Sequence, residues 1–505
     1  MTNEQNQHHL TRRDLLKTSL TAGGIALGMT AVGSISRVLP WSSTALAANT
    51  SKPNVVIIYC DDLGYGDLGC YGSKAIETPN IDQLAKNGAR MTDYYACNAV
   101  CAPSRAGLLT GRYPLRSGVI GNIYPDDEPL KRVISREYLG AAFQSLGGLD
   151  VREGKKISGI PEKELLMGEA LQGVGYRTGM VGKWHLGDYS LEPRFNPRRN
   201  GFDFYFGVPH SNDMLPCPLF RNEEMLEENI GEDQAKLTGL YTKEAIQFIK
   251  ESKRNPFFLY FAHTFPHQPL YASEKFAGKS KAGKFGDAVE EIDWSVGKIM
   301  ETLIEMGVEQ NTLIFFTSDN GPWYEGSAGP YRGRKGQSYE GGFRVPMIAS
   351  WPGHIPAGSI CSQPMMNIDL YPTILPLAGA ELPKDRIVDG RNIMNLLTGQ
   401  GEKSPHEALF FYHYDLLEGV RVGKWKYFRR INRYTWPVPL DAIELPNKLG
   451  GDQLGNRWPL LYNLETDPGE SYNVIDTYPE IAETLKNILH KWETETEKNP
   501  KGWLS

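Results

Sequence analysis

The sequence predicts an α/β fold built on a mostly parallel central sheet flanked by helices, with a smaller C-terminal α+β subdomain carrying an antiparallel sheet. Three observations predict it. Apolar runs rich in β-branched and aromatic residues recur at 53–60, 256–262 and 312–317, the pattern of strands buried on both faces. Amphipathic stretches alternate with them at 78–88, 237–250 and 286–306, the order expected of βαβ units. From about residue 405 the texture shifts to period-two alternation and turn residues, which favours antiparallel strands.

At 505 residues the chain exceeds one ordinary core, and we divide it into a leader (1–47), a main domain (48–404) and a C-terminal subdomain (405–505). Its hydrophobic content of 40% and charged content of 23% are those of a globular protein. A net charge of −6 carries no polybasic signature, which argues against nucleic acid as a partner. Six cysteines (Cys60, Cys70, Cys97, Cys101, Cys217, Cys361) are too few and too scattered for a disulfide framework or a zinc-spaced cluster, although a bridge from Cys97 stays open.

The leader reads as an export signal. Thr11-Arg12-Arg13-Asp14-Leu15-Leu16-Lys17 resembles the twin-arginine motif, a modestly apolar run follows from Ser19 to Leu39, and Ala45-Leu46-Ala47 offers a small-residue cleavage site. A membrane helix is the competing reading; the glycines and threonines of the run and the cleavage site favour export. The mature chain is then expected to begin near residue 48, to have no stable membrane span, and to be periplasmic or extracellular.

The first strand, 53–60, ends in Asp61-Asp62-Leu63-Gly64. Two adjacent carboxylates at the carboxyl end of a central strand repel each other unless something cationic sits between them. Solvated aspartates in a capping turn are the competing reading, but the glycines that follow favour close backbone approach to a site. After the 78–88 helix comes Cys97-Asn98-Ala99-Val100-Cys101-Ala102-Pro103-Ser104-Arg105. Pro103 predicts a rigid turn at Cys101 and Ala102, and a helix from Ser104 onward would aim backbone N–H groups back at residue 101. Arg105 adds a permanent charge near the same spot.

Residues 122–160 read as an insertion without an assigned role. A helix is expected over 164–174, then a short strand that presents Lys183 and His185 on the same side of an extended chain. An aromatic run from Asn200 ends in the polar groups of Pro209-His210-Ser211-Asn212-Asp213. The second buried strand ends in His263-Thr264-Phe265-Pro266-His267-Gln268-Pro269, whose prolines present His267 rigidly, with His263 as its neighbour. The third ends in Ser318-Asp319-Asn320-Gly321. A hairpin turn competes there, but Pro322-Trp323-Tyr324-Glu325 does not alternate as a returning strand should. A further strand is expected at 347–351 and a helix from Asp369. In the C-terminal part, 419–428 reads as one strand and 460–464 as another, Thr466–Glu470 as a turn and 479–497 as a helix. Tyr434, Trp436 and Trp458 form an aromatic loop for which packing is preferred over a cleft wall.

Asp61, Asp62, Asp319 and Asn320 all fall at strand carboxyl ends, where ligands of parallel sheets gather. Three carboxylates and an amide make an oxygen-only set suited to one hard divalent cation, calcium ahead of magnesium, rather than to zinc.

Cys101-Ala102-Pro103-Ser104-Arg105 with the tail Leu108-x-x-Gly111-Arg112, together with Gly182-Lys183-Trp184-His185-Leu186-Gly187, resembles the signatures of the sulfatase family, the formylglycine-dependent branch of the alkaline phosphatase superfamily. The likeness covers about 52–505, is greatest to the arylsulfatase A and N-acetylgalactosamine-6-sulfatase branch, and is weakest at 122–160, 214–235 and 430–458. It implies an alkaline-phosphatase-like fold and a sulfuric ester hydrolase acting on aryl or carbohydrate sulfate monoesters. It further implies that Cys101 is oxidised by a formylglycine-generating enzyme to Cα-formylglycine, whose hydrate attacks sulfur and forms a covalent sulfo-enzyme. Residue 101 would then share the metal with Asp61, Asp62, Asp319 and Asn320. The same resemblance assigns sulfate binding to Ser211, Lys183, His267 and Lys335, protonation of the leaving alcohol to His267 and Lys335, and acceptance of the attacking proton to Asp319. It gives Arg105 and Lys183 the task of orienting the hydrate, and His185 the elimination that expels sulfate. The implied partners are a sulfated small molecule or carbohydrate, the maturation enzyme and the twin-arginine export machinery. Two rivals remain: a phosphomonoesterase or phosphonate hydrolase of the same superfamily, and a non-catalytic relative that binds sulfated carbohydrate.

Overall fold

A computed structural model describes residues 52–125, 158–189, 192–252, 255–431 and 458–504. The segment expected to be an export leader (1–47), most of the expected 122–160 insertion, and Tyr434 and Trp436 of the expected aromatic loop lie outside the described residues.

The main sheet forms from the apolar runs read in the sequence plus several short strands. In chain order its members are β1 (Asn54–Cys60), β2 (Ala89–Met91), β4 (Arg177–Lys183), β5 (Phe204–Val208), β6 (Leu219–Arg221), β7 (Glu224–Glu227), β8 (Phe257–Ala262), β9 (Thr312–Ser318), β10 (Met347–Ser350) and β11 (Ser359–Cys361), while β3 (Tyr94–Tyr95) pairs separately with β12 (Met365–Met366). The spatial order is β11-β2-β10-β9-β1-β8-β4-β5-β6-β7. Its middle, β9-β1-β8-β4-β5, is parallel throughout, and β10 and β6 flank it antiparallel.

Register brings the carboxyl ends level. Tyr59 lies opposite both Ala262 and Thr317, and Cys60 opposite Ser318. The residues that follow β1, β8 and β9 therefore leave the sheet side by side, and the Asp319 amide still donates to the Cys60 carbonyl at 3.0 Å.

Side-chain alternation divides the core between the two faces of the sheet. Val55, Ile57, Tyr59, Tyr260 and Phe315 face one apolar cluster, with Ala106 and Leu109 of the Cys101–Thr110 helix, Leu171 of Met167–Gly173 and Ile374 of Leu370–Leu377. Val56, Ile58, Leu259 and Phe316 face the other, with Leu84 of Pro79–Asn87, Phe248 of Leu237–Glu251 and Ile292 of Gly283–Glu305. Helices thus cover both faces, as continuous rather than alternating apolar strands require.

The C-terminal antiparallel sheet runs β13 (Leu409–His413), β14 (Leu416–Val422), β15 (Trp425–Phe428), β16 (Leu460–Asn463), in that spatial order. The single strand expected at 419–428 is a hairpin. Gly423, at φ +55, turns the chain inside an alternating run that otherwise reads as uninterrupted. Phe411, Leu461 and Leu485 of this part share one apolar cluster with Tyr95, Phe343 and Ile368. Trp458 is packed beside Phe428 and Leu460. Among the described residues no helix is long and apolar enough to cross a membrane.

Candidate active site

All five parallel strands feed one place. β1 delivers Asp61 and Asp62, β9 delivers Asp319 and Asn320, β8 leads to His267, β4 ends on Lys183, and β5 leads to Ser211. Opposite them stands the start of the Cys101–Thr110 helix, every residue of which is buried. The helix begins at Cys101 itself and not after Ser104. Pro103 falls in its first turn, where the missing N–H would have no partner in any case. The side chain of Ser104 serves the scaffold: it lies 3.2 Å from the Tyr59 hydroxyl and accepts from Asn367 Nδ2 at 2.9 Å. A further departure from the sequence reading concerns β4. Lys183 closes the strand, whereas His185 lies beyond it at φ +59, so the two side chains are separated by a turn and not by an extended pair of residues.

Asp61, Asp62, Cys101 and His267 bring ligand atoms within 4.8 Å of one another. Cys101 Sγ is 3.2 Å from Asp61 Oδ1 and 3.2 Å from Lys335 Nζ. Lys335 Nζ also pairs with Asp62 Oδ1 at 2.6 Å, and Lys183 Nζ pairs closely with Asp61 Oδ2 while donating to Ser211 Oγ at 3.0 Å. Arg105 closes the ring: its Nη2 meets Asp319 Oδ2 at 2.8 Å and Asp61 Oδ2 at 3.2 Å, and its Nη1 donates to the Lys183 carbonyl at 2.8 Å. Three cations are thus interleaved with three carboxylates, which relieves the repulsion expected of the adjacent aspartates.

Burial and these neighbours set the protonation states. Burial alone would raise the Asp61 carboxyl, but Lys183, His267, Arg105 and Lys335 outweigh it and hold the group well below the usual range. Asp319 goes the other way, raised by burial and then by the charge of Asp61. The Cys101 thiol is pushed well up, first by burial and then by Asp61. His185 is held well below its ordinary value by burial and by Lys183 and Arg105, so its ring is neutral. Its Nε2 faces the Ile123 carbonyl at 3.0 Å and therefore carries the hydrogen; buried Nδ1 has no hydrogen-bond partner and is the basic nitrogen. His267 is likewise lowered, by burial and then by Lys335, and its Nδ1 faces two acceptors, Asn212 Oδ1 at 3.1 Å and the Gln268 carbonyl at 2.5 Å.

The donor set fits a hard divalent cation. Asn320 Nδ2 donates to Asp62 Oδ1 at 2.7 Å, while its buried Oδ1 has no hydrogen-bond partner. A buried amide oxygen left without a hydrogen-bond partner next to Asp62 is a ligand that calcium or magnesium takes.

The sequence left several contributors unmarked. Asn212 orients His267, Asn367 and Tyr59 hold Ser104, and the insertion given no role begins with two that matter: Asn122, whose Oδ1 accepts from the Ala102 amide at 3.3 Å, and Ile123. Only Asn212 carried a signal, as one of the polar residues closing the aromatic run. His263 is wholly buried, without a hydrogen-bond partner and lowered to about 3 by burial, so it remains neutral and outside the charged cluster.

Residues 53–380 match the sequence model of the Sulfatase family, and residues 333–496 match that of the N-sulphoglucosamine sulphohydrolase C-terminal region. The chain belongs to the sulfatase family. This sulfatase is 37% identical over 469 residues to human N-acetylgalactosamine-6-sulfatase, covering 86% of this chain and 84% of that one. It is 37% identical over 491 residues to human arylsulfatase A, covering 88% and 89%. Among solved structures it resembles Ps i-CgsB in complex with κ-ι-κ-neocarrahexaose, at a TM-score of 0.70 and 29% identity, over 90% of this chain and 95% of that one. The sulfatase is accordingly a hydrolase of sulfate esters.

Proposed function

We propose that this sulfatase cleaves carbohydrate or aryl sulfate monoesters with residue 101, matured from cysteine to Cα-formylglycine, as its nucleophile. The observation that carries the reading is the setting of Cys101: a buried thiol, 3.2 Å from both Asp61 Oδ1 and Lys335 Nζ, whose proton the site retains. A thiol so placed is a poor nucleophile, and its adduct would have no second hydroxyl from which to expel sulfate. The aldehyde hydrate has two. One hydroxyl oxygen forms the bond to sulfur as the bond from sulfur to the alcohol oxygen breaks. Asp319 takes the proton of the attacking hydroxyl, and the departing alcohol receives its proton from His267 or Lys335. The neutral His185 ring then accepts the proton of the second hydroxyl as the carbon–oxygen bond to sulfate breaks, which restores the aldehyde; water rehydrates it.

Lys183, Ser211, His267 and Lys335 hold the sulfate oxygens, and Arg105 and Lys183 orient the hydrate. Asp61, Asp62, Asp319 and Asn320, beside residue 101, would hold a divalent ion, calcium ahead of magnesium, which would supply positive charge to the site. The leader 1–47 serves twin-arginine export to the periplasm or beyond, with 48–404 as the catalytic domain and 405–505 as the C-terminal subdomain, and a formylglycine-generating enzyme is the maturation partner.

The test is mass analysis of the peptide carrying residue 101, from protein made in the native host, alongside hydrolysis of an aryl sulfate and the matching aryl phosphate. The expected result is an aldehyde at 101 and strong preference for the sulfate. A fully active enzyme with an unmodified thiol, or one that prefers phosphate, overturns the reading.

A further inference from the structure

Lys335 reaches Cys101 and Asp62 from a segment, 332–344, that is mostly loop. Its only helix spans Glu340–Phe343. Two ties hold Lys335 and Gly336 to the site: the Lys335 amide donates to the Pro322 carbonyl at 3.0 Å, and the Gly336 amide to the Ala99 carbonyl at 2.8 Å. Further ties to the main part of the chain come from Arg334 Nη1, which donates to the Trp323 and Gly326 carbonyls at 2.8 and 2.7 Å, and from the Gly342 and Phe343 carbonyls, which accept from the Gly321 and Ala96 amides at 2.9 and 2.7 Å; the C-terminal part of the chain adds a second set from behind.

Glu470, in the turn after β16, grips the segment on both sides of Lys335. Its backbone carbonyl accepts from Arg332 Nη1 at 3.0 Å, and its carboxylate accepts from the Glu340 amide at 2.6 Å. The Gly341 amide donates to the Arg332 carbonyl at 2.6 Å, which closes the loop between those two points. Lys426 on β15 pairs with Glu340 Oε1 at 2.8 Å and with Glu470 Oε1 at 3.1 Å. All three side chains are fully buried. Glu340 also accepts from the Tyr95 hydroxyl at 2.5 Å and pairs with Arg344 at 3.0 Å, while Ser338 donates to Glu418 on β14. Glu470 itself takes φ +51, a left-handed conformation costly for glutamate.

Two carboxylates and one lysine withdrawn wholly from water are a poor way to gain stability, since apolar side chains of the same volume would do as well or better. What such a cluster does supply is a fixed geometry. We infer that Glu470, with Lys426 and Glu340, is a positioning residue for Lys335: the C-terminal turn clamps the 332–344 loop and so sets where the lysine ammonium meets residue 101 and the sulfate. The inference rests on the assignment of Lys335 to the sulfate-holding machinery. Burial and the charge of Glu340 raise the Glu470 carboxyl, against the lowering by Lys426, while Lys426 and Arg344 hold Glu340 down despite its burial. Lys426 is shared by both carboxylates, and Arg344 pairs with Glu340 as well.

A double-mutant cycle on the matured enzyme tests this. Glu470→Ala is expected to lower kcat/KM for an aryl sulfate by about 10- to 100-fold, the scale of a displacement near 1 Å in a reacting group. In a Lys335→Ala background the same change should cost less than about 2-fold, because the group it positions is gone. Both single variants should steepen the dependence of rate on leaving-group pKa in the same sense. Glu470→Gln, which keeps the side-chain volume, should show the same non-additivity at smaller amplitude and guards against loss of the fold. Leu489→Ala, a core truncation in the final helix, serves as the structural control, with an equal effect in both backgrounds. Full additivity of Glu470→Ala with Lys335→Ala overturns the positioning role. A Lys335→Ala enzyme as fast as the parent instead overturns the assignment of Lys335 on which the inference rests.

Discussion

Cys101 touches one carboxylate and one ammonium, and alanine in its place disturbs neither the helix nor the partners of Asp61 and Asp62. Cys101→Ala is therefore expected to lose all aryl sulfate turnover while circular dichroism stays as in the parent and calcium still binds, with only the contribution of residue 101 removed. His185 makes a different prediction. If its free Nδ1 removes the proton that expels sulfate, His185→Ala releases one equivalent of alcohol per enzyme and then stalls, read as a burst in stopped-flow absorbance. Steady turnover without a burst would remove His185 from that step. These residues were legible in the sequence because reactive side chains stand in short stretches punctuated by glycine and proline, at the ends of recognisable strands. Asn367 and the Ile123 carbonyl were not. An amide that holds a serine hydroxyl, or a carbonyl that fixes a histidine tautomer, acts through distance in space and leaves no pattern in its own neighbourhood.

The Cys101–Thr110 helix shows how closely an element must fit to present one side chain. A Cβ added at Gly107 would stand 2.2 Å from Cys97 Sγ and 3.2 Å from Ile368 Cγ2. Gly107→Ala is expected to cost about 1–3 kcal/mol by urea denaturation, as overpacking in a tight core does. Adding Cys97→Ala removes the nearer atom and should recover most of that loss; no recovery would place the strain elsewhere. The helix start was misjudged for a physical reason. Proline disfavours helix for the residue before it only as a tendency, and the opposing preference for proline in a first turn prevails here. Long buried strands were readable from their apolar runs, whereas β2, β3, β11 and β12, with two or three residues each, are too short for either period to register.

For the molecule as a whole, the three-layer order followed from alternation of strands and helices, but the neighbour order β9-β1-β8-β4-β5 did not, because crossovers depend on which faces pack and not on any local run. Nor did the sequence disclose that the C-terminal sheet and the main domain share both an apolar cluster and a buried ionic one, since the partners Glu340 and Lys426 are 86 residues apart. That ionic link predicts a pH dependence. Burial would raise Glu340, but Lys426, Arg344 and Arg421 bring it to about 2. A carboxyl lowered on folding adds stability that is present above its unfolded pKa, near 4.3, and is lost as pH falls toward the folded value. Glu340→Gln should therefore be less stable than the parent at neutral pH, and the gap in urea midpoint should close between about pH 4 and pH 2. A gap that stays constant across that window would show that the charge of Glu340 contributes nothing.

Asp62 and His185 both hold left-handed backbone, at φ +62 and +59, next to the ends of β1 and β4. Each pays about 1–2 kcal/mol that glycine would not. Selection for stability alone, blind to turnover, would therefore drift toward glycine or asparagine at 62 and 185 and erase the enzyme as it hardened the protein. An aspartate and a histidine at two such positions answer to the chemistry proposed for the site and not to the stability of the backbone.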